Sequence, residues 1–238
     1  EWKKAVKKYG AKSSIEDLQE IKDSLGKFLD ETGKWKSCFL EPAHEAAEIG
    51  ALKLLEFFLS IPFDMNSHNF IDRTVLAVAC ENGQMECVKL LIDATNDLNA
   101  RDKHGGTTFH RACRSGNNTE VVKFLIEVST KYGIDLNARD NDGITALNWA
   151  CQKTEETVKT MIELSTKYGI DLNLRDNNGK TPLHYACWKW NIPSYVIDLT
   201  LNDCLHWSNI DLNDREHRVT KFHTEQRVRT EIVTMLLE

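Results

Sequence analysis

The sequence predicts an all-α repeat solenoid, and two recurring motifs carry this prediction. A pair of small residues, alanine followed by cysteine or alanine, recurs along the chain, and the first alanines of the pairs are Ala46, Ala79, Ala112, Ala150 and Ala186. These alanines are 33, 33, 38 and 36 residues apart, which is a period typical of a repeat array. A second motif, Asp-Leu-Asn or Asp-Met-Asn, keeps the same rhythm at 64–66, 97–99, 135–137, 171–173 and 211–213. Each unit therefore has a recognisable beginning and end.

The small-residue pair lies in the first of two helices predicted for each unit. In GKTPLHYAC (179–187), the hydroxyl of Thr181 is suited to cap a helix, and Pro182 suits the first helical position because a backbone N–H there has no helical partner. Leu183 begins the apolar side of this helix. Small alanine and cysteine side chains on that side allow neighbouring helices to approach closely.

A second helix and a tight turn complete each unit. Glycines such as Gly116 break the first helix, and an apolar pattern such as VVKFLI (121–126) then predicts the second. In RDNDG (139–143) and RDNNG (175–179), Asp, Asn and Gly gather where the chain needs a tight turn. We expect these turns to form fingers that connect one unit to the next.

These motifs resemble one known family. The stretch DNNGKTPLHYAC (176–187) is similar to the ankyrin-repeat consensus D-x-x-G-x-T-P-L-H-x-A-A, and DLN closes a unit as it does in that family. The resemblance covers residues 37–216 as five ankyrin-type repeats and implies stacked helix-turn-helix units with β-turn fingers, curved with a concave binding face. Residues 217–238 fit a degenerate or partial C-terminal repeat. Residues 1–36 fit an N-terminal helical cap or degenerate repeat, with a separate docking helix as the alternative.

Several units depart from the consensus. Thr108 replaces proline in the third unit, Asn148 replaces histidine in the fourth, and Trp190 replaces the inter-helix glycine in the fifth. Repeat arrays tolerate such deviations when the interfaces between neighbouring units remain apolar. The third and fourth units also carry extra residues beside an identical stretch, STKYGIDLN, at 129–137 and 165–173. We expect the extra residues to add a turn to the end of the second helix.

Composition and charge exclude several classes of protein. The chain has 238 residues, of which 41% are hydrophobic and 28% charged, so it can bury a sizeable core. Its net charge of -6 argues against a nucleic-acid-binding role, and no apolar run approaches the ~20 residues of a membrane span. The first residues are too polar for a signal peptide. Because the chain begins at Glu1 and stops inside an apolar-periodic run, we expect it to be part of a longer protein.

Seven cysteines raise the question of a metal or redox site. Four of them, Cys80, Cys113, Cys151 and Cys187, occupy one repeat position, where a small apolar side chain is needed for packing. Neither C-x-x-C nor a paired zinc spacing occurs, so the sequence predicts no metal site, and it contains no cofactor-binding motif. Unpaired thiols in this number favour a reducing compartment, which predicts an intracellular protein, with the cytoplasm preferred to the nucleus.

Histidines on the first helices raise the question of a catalytic site. His110 and His184 each precede a cysteine by three residues, a spacing that could set a base beside a thiol. The resemblance implies instead that these histidines, with His44, hydrogen-bond successive fingers. It also implies backbone bracing by the asparagines that close the DLN motifs, Asn99, Asn137 and Asn173. No phosphate-binding loop, nucleophile elbow or catalytic carboxylate pair emerges from the sequence, so we expect no enzyme activity.

The family's usual contact positions fall on the finger tips and the first helices. Carried over onto this sequence, they give as protein-binding residues Arg73, Lys103, His104, Arg114, Asn141, Asp142, Gln152, Lys153, Asn177, Asn178, Lys180, Trp188 and Lys189. Together with Glu81, these positions hold six Lys or Arg against two acids, which predicts a basic groove on an acidic protein. Such a groove suits a partner protein with acidic side chains and an apolar anchor, because aromatic residues such as Trp188 dominate binding hot spots. Packing of Trp188 against Trp190 is the alternative.

The sequence thus predicts a non-catalytic protein–protein interaction module that serves as a scaffold or adaptor. One alternative is a regulatory or targeting domain of a larger enzyme or channel whose catalytic part is absent from this chain; the full-length protein would decide between them. Another is an enzyme that acts through the helix histidines and cysteines, which would show activity in the isolated chain.

Overall fold

A computed structural model of the protein describes residues 42–60, 64–95, 97–116 and 118–189. Within these ranges the chain forms nine helices, which are α1 (Pro42–Ile49), α2 (Leu52–Ser60), α3 (Val75–Glu81), α4 (Met85–Ile92), α5 (Thr108–Ser115), α6 (Thr119–Tyr132), α7 (Ala146–Cys151), α8 (Glu155–Tyr168) and α9 (Pro182–Lys189). The units predicted at residues 1–36 and 217–238, and the replacement at Trp190, lie outside the described residues.

The helices form two layers. The first helices of successive units, α1, α3, α5, α7 and α9, pack against one another in sequence order, and the second helices α2, α4, α6 and α8 form the other layer. The first helices contact one another through small side chains, and Ala46, Ala79, Ala112, Ala150 and Ala186 are each at most 1% exposed. The predicted all-α solenoid is confirmed, and the recurring alanines lie inside it as expected.

Threonine side chains begin the first helices. Thr74 Oγ1 accepts a backbone N–H of the first turn of α3 at 3.2 Å, and Thr145 Oγ1 does the same in α7 at 3.4 Å. In α5 the cap is reciprocal, because His110 Nδ1 also accepts the backbone N–H of Thr107 at 3.1 Å. These bonds satisfy N–H groups that have no partner within the helix.

Each finger is a tight turn that reverses the chain before a first helix. Gly105, Gly143 and Gly179 hold the turns with φ of 75°, 75° and 78°, which glycine adopts without steric cost. In the second unit, Asp72 takes this place with φ of 59°. Backbone pairing across the described fingers is limited to isolated bridges in two of them, so they are turns and not extended strands.

The third and fourth units have longer second helices than the second unit. α6 and α8 each contain 14 residues, whereas α4 contains 8. Both long helices end at a glycine in the left-handed conformation, Gly133 with φ of 67° and Gly169 with φ of 72°. The extra residues therefore extend the second helix, as predicted, while the first helices continue to stack.

The hydrophobic core lies between the two layers and is shared by neighbouring units. Its largest fully buried side chains are Phe58, Phe109, Leu54, Leu55, Leu76, Leu91, Leu125, Ile126, Leu147 and Met161. A single unit buries these side chains only by stacking on its neighbours, so stability is a property of the array. None of the helices described here is both long and apolar enough to cross a membrane.

Candidate functional site

The fingers and the outward sides of the first helices form one surface, which we call the finger–helix face. Asp102, Asp140 and Asp176 occupy the same repeat position in the third, fourth and fifth fingers. In each, the carboxylate oxygen Oδ1 accepts two backbone N–H groups of its own finger, at distances between 2.8 and 3.1 Å. The aspartates therefore fix the shape of the turns that border this face.

The other carboxylate oxygen, Oδ2, reaches the first helix nine residues later. It contacts the guanidinium of Arg111 in the third unit, the indole N–H of Trp149 at 3.3 Å in the fourth, and the phenol O–H of Tyr185 at 2.6 Å in the fifth. The repeat pattern of the sequence did not predict that these three residues lie on the face. Each of them directly follows the histidine position of the TPLH motif. The residue type at this position changes from unit to unit, so the sequence could have indicated these residues only through their shared position.

The contact between Asp176 and Tyr185 fixes the protonation of both groups. Burial of Asp176 opposes ionisation, but hydrogen bonds from Tyr185 and from the backbone N–H groups of Lys180 and Asn178 outweigh it and lower the pKa of the carboxyl. Burial, reinforced by the hydrogen bond to the carboxylate, raises the pKa of Tyr185. At neutral pH a phenol therefore donates to a carboxylate, and the ring of Tyr185 remains a neutral aromatic surface.

In the second and third units the charges of the face neutralise one another. The carboxylate of Asp102 contacts the guanidinium of Arg111 and lies 3.7 Å from Nε of Arg73. Arg73 also pairs with Glu81 through Nη1. The side chains of Asp102 and Arg111 are only 2% and 4% exposed. Arg73, a predicted partner-binding residue, is thus already held between two carboxylates.

From the third to the fifth unit, by contrast, the face carries cations that have no carboxylate partner among the described residues, and one of them lies over an aromatic ring. The guanidinium of Arg114 lies 5.0 Å from the centre of the Trp149 ring, which is within cation–π range. Trp188 in α9 is 75% exposed. Lys153 and Lys189 are exposed, and neither forms an ion pair with any residue that the structure describes. This part of the face carries uncompensated positive charge and apolar surface together.

The finger tips are linked by a ladder of side chains. The amide of Asn141 donates to the carbonyl of Lys103 at 3.2 Å, and the amide of Asn177 donates to the carbonyl of Asn141 at 3.0 Å. The ammonium group of Lys103 makes the corresponding contact with the carbonyl of Phe70. Three predicted contact residues thus bind the preceding finger. The other predicted positions are His104, Asp142, Asn178 and Lys180, all exposed on the fingers, and Gln152, half-buried after α7.

Histidines also join successive fingers, as the resemblance implied. His44 Nε2 donates to the carbonyl of Arg73 at 2.9 Å, and His110 Nε2 donates to that of Ile144 at 3.1 Å. The other ring nitrogen of His110 accepts from the N-cap threonine, so neither nitrogen of this ring is turned toward Cys113. Burial lowers the pKa of His110, which keeps the imidazole neutral.

Asparagines of the DLN motifs brace the bases of the fingers. Asn99 Nδ2 donates to the carbonyl of Gly133 at 2.8 Å, and its Oδ1 accepts the N–H of Asp135 at 2.9 Å. Asn137 makes the same two contacts one unit later, at 2.7 and 2.8 Å. The unit that follows Asn173 lies outside the described residues. These amides therefore act as structural links between units.

The cysteine row is buried within the layer of first helices. Burial raises the pKa of Cys80, Cys113 and Cys151 well above the usual value and that of Cys187 to about 12. Thiols that stay protonated are poor nucleophiles and poor metal ligands. In the described ranges, no group of three or more His, Cys, Asp or Glu side chains is placed to hold a metal ion.

Stacked helix pairs, finger turns and inter-finger histidines together define a repeat solenoid of one particular class. The family model for ankyrin repeats (3 copies) matches residues 43–140 and 128–200, which together span about two thirds of the chain. The chain belongs to the ankyrin-repeat family.

Three curated proteins illustrate the similarity. Ankyrin repeat domain-containing protein 63 of Mus musculus is 32% identical over 85 residues, which cover 36% of this chain and 22% of that protein. NF-kappa-B inhibitor cactus of Drosophila yakuba is 30% identical over 95 residues, which cover 40% and 19%. B-cell lymphoma 3 protein homolog of Mus musculus is 30% identical over 105 residues, which cover 42% and 23%. The chain spans less than a quarter of the length of each of these relatives.

Proposed function

We propose that this chain is a non-catalytic protein-interaction module that binds a partner protein through the finger–helix face of its third to fifth units. The observation that carries the proposal is the set of cations, Arg114, Lys153 and Lys189, that accompanies Trp149 and Trp188 on this face. Ankyrin-repeat arrays generally bind other proteins, and the extended surface of a solenoid suits an elongated partner.

The distribution of charge supports the third to fifth units over the second. Arg73 is paired with Glu81 and lies near Asp102, so a partner carboxylate would have to compete with bonds that already exist. Arg114 has an aromatic ring beside it and no carboxylate partner among the described residues, so its charge is available to a ligand. Arginine and tryptophan are also among the residue types that contribute most to binding hot spots.

The partner that fits this part of the face is an acidic segment with an apolar anchor. Carboxylates of the segment would meet the cations, and an apolar side chain would cover the exposed ring of Trp188. Electrostatic complementarity of this kind speeds association, while burial of the anchor slows dissociation. One relative, NF-kappa-B inhibitor cactus, is named for its action on another protein, which is the kind of role proposed here.

The compartment that suits this interaction is intracellular, with the cytoplasm preferred to the nucleus. The described cysteines Cys80, Cys87, Cys113, Cys151 and Cys187 are free and buried. Free thiols persist in a reducing compartment, whereas secreted proteins tend to pair them.

A charge-reversal experiment tests the proposed face. The tagged chain is used to capture partners, which are identified by mass spectrometry, and binding of the purified partner is then measured for variants. Reversing Arg114→Glu and Lys153→Glu together should abolish or strongly weaken binding. The matched control is Lys123→Glu with Lys159→Glu, because these exposed lysines lie in the same units on α6 and α8 and change the net charge equally.

Two outcomes would contradict the proposal. Equal loss of binding with both pairs of changes would attribute the interaction to net charge rather than to this face. Loss with the Lys123 and Lys159 pair alone would place the partner on the second helices.

A further inference from the structure

Three arginines occupy the same repeat position on the third, fourth and fifth fingers. Arg101, Arg139 and Arg175 each directly precede the finger aspartate, and all three are exposed. Among the described residues, none of them has a carboxylate oxygen within 4.0 Å. We call these residues the finger arginine row. The row differs from the cations of the proposed function, which lie at or just after the C-terminal ends of the first helices.

Backbone carbonyl groups hold each guanidinium of the row in place. Arg101 Nη1 donates to the carbonyls of Gly105 at 2.9 Å and Arg139 at 2.6 Å. Arg139 donates through Nη2 to the carbonyl of Arg175 at 2.7 Å, and Arg175 Nη1 donates to that of Gly179 at 3.1 Å. These bonds use only some of the five N–H groups of each guanidinium and neutralise none of its charge. The row is therefore fixed and positively charged before any ligand arrives, which reduces the entropy lost on binding.

The spacing of the row selects the conformation of a ligand. Neighbouring stacked helices lie roughly 8–10 Å apart, so successive arginines of the row are separated by about one such step. A peptide in the polyproline II conformation has 3 residues per turn and rises about 3.1 Å per residue, so every third side chain points the same way at about 9 Å intervals. Carboxylates at every third residue of such a peptide would each meet one guanidinium, a pairing that Arg makes with two parallel hydrogen bonds.

Nearby acids argue against a nucleic acid as the ligand. Asp97, Asp135 and Asp171 are exposed and lie four residues before each arginine of the row, and the chain carries a net charge of -6. A phosphate backbone presents charge continuously and would meet these carboxylates as well as the arginines. A peptide can place its carboxylates opposite the arginines and leave neutral residues opposite the aspartates.

We infer that the finger arginine row is a second binding site, which takes an acidic peptide segment in the polyproline II conformation with Asp or Glu at every third residue. Each finger contributes one arginine, so each repeat of the array binds one carboxylate of the acidic segment. The site goes beyond the proposed function because it uses different residues and requires a periodic ligand.

The first test uses the unchanged protein and two synthetic peptides of identical composition. One peptide consists of repeated Glu-Pro-Pro triplets, and the other carries the same residues with all glutamates adjacent. Fluorescence anisotropy of the labelled peptides measures both affinities at one salt concentration. The triplet peptide should bind at least about tenfold more tightly, since only it places one carboxylate opposite each arginine. Equal affinity, or tighter binding of the clustered peptide, would overturn the inference.

The second test removes charge from the row. Arg101→Gln with Arg139→Gln should weaken binding of the triplet peptide about tenfold, whereas Lys123→Gln with Lys159→Gln, which removes the same charge from the second helices, should leave it nearly unchanged. Since the arginines also bond the fingers, a thermal melt accompanies each variant. Arg101→Lys with Arg139→Lys keeps the charge and should retain more affinity than the glutamine pair. Undiminished peptide binding by the glutamine pair would overturn the site, and tighter binding of an oligodeoxythymidine would overturn the class of ligand.

Discussion

The guanidinium of Arg111 occupies the space that a side chain at Gly106 would take. A Cβ built on Gly106 would lie 3.0 Å from Nη2 of Arg111, which is closer than a comfortable contact. Gly105 needs glycine for its φ of 75°, but Gly106 is not among the residues with positive φ. A methyl group at position 106 would therefore press on the guanidinium of Arg111, which neutralises the buried carboxylate of Asp102.

Replacing Gly106 should destabilise the protein through this close contact. We expect Gly106→Ala to lower the free energy of unfolding by about 1–3 kcal/mol, the usual cost of overpacking a tight site. Urea denaturation followed by circular dichroism measures the change. In an Arg111→Met background the added methyl group should cost less, because the guanidinium is gone. An equal cost in both backgrounds would show that the contact with Arg111 is not the cause.

Restoring histidine at position 148 should stabilise the junction between the fourth and fifth units. Asn148 is fully buried, and its Nδ2 has no hydrogen-bond partner among the described residues. His44 and His110 reach the carbonyl of the residue just before the next N-cap threonine, and for position 148 that residue is Lys180. Asn148→His should therefore raise the free energy of unfolding by about 1 kcal/mol, measured by chemical denaturation. Asn148→Ala, which supplies no bridge, is the control, and a histidine variant no more stable than the alanine variant would refute the idea.

The buried thiols should make the protein less stable at alkaline pH. A thiol in an unfolded chain ionises near a pKa of about 8.5, whereas burial raises the pKa of Cys187 to about 12 and raises that of Cys80 as well. Above about pH 8.5 the unfolded state releases protons that the folded state retains, so the stability from burial is present below that pH and is lost as pH rises. Each thiol contributes a slope of up to about 1.4 kcal/mol per pH unit.

The measurement is urea unfolding at a series of pH values between about 7.5 and 10. Cys80→Ala and Cys187→Ala should each show a shallower loss of stability across this range than the parent. If the variants lose stability as steeply as the parent, other groups are responsible for the alkaline transition.

Replacing Trp188 should show whether its ring contributes to partner binding or to the stability of the fold. Because Trp188 is 75% exposed, Trp188→Ala should alter the melting temperature little. If the ring anchors the partner, the same change should cost roughly 2 kcal/mol or more of binding free energy, mainly through faster dissociation. Affinity and melting temperature are measured on the same preparation. A lowered melting temperature with unchanged affinity per folded molecule would support the alternative role, packing of Trp188 against Trp190.

The sequence predicted the features of the fold that repeat along the chain. The alanine and cysteine positions, the finger turns and the extended second helices all recur at a fixed spacing, so their burial or conformation follows from position in the unit. His44 and His110 belong to the same pattern, and their contacts with the next finger are confirmed.

The candidate site was harder to predict because its contacts depend on single residues. Arg73 was predicted to meet a partner, but its charge is engaged by Glu81 and Asp102, and the second of these lies one unit away. Asn141 and Asn177 were predicted as contact residues, and their amides bind the preceding fingers. Trp149 was missed because its repeat position holds unrelated residue types. Which side chains pair between neighbouring units depends on which atoms meet in the folded protein. A periodic sequence pattern does not specify these contacts.

The hydrogen bonds between fingers run in two opposite directions. The side chains of Asn141 and Asn177 donate backward to the preceding finger, whereas Asn99 and His110 donate forward to the next unit. The boundary between the third and fourth units and that between the fourth and fifth thus each combine one backward and one forward asparagine bond. Duplication of a unit of this kind would therefore create a new boundary whose asparagine donors and carbonyl acceptors already match.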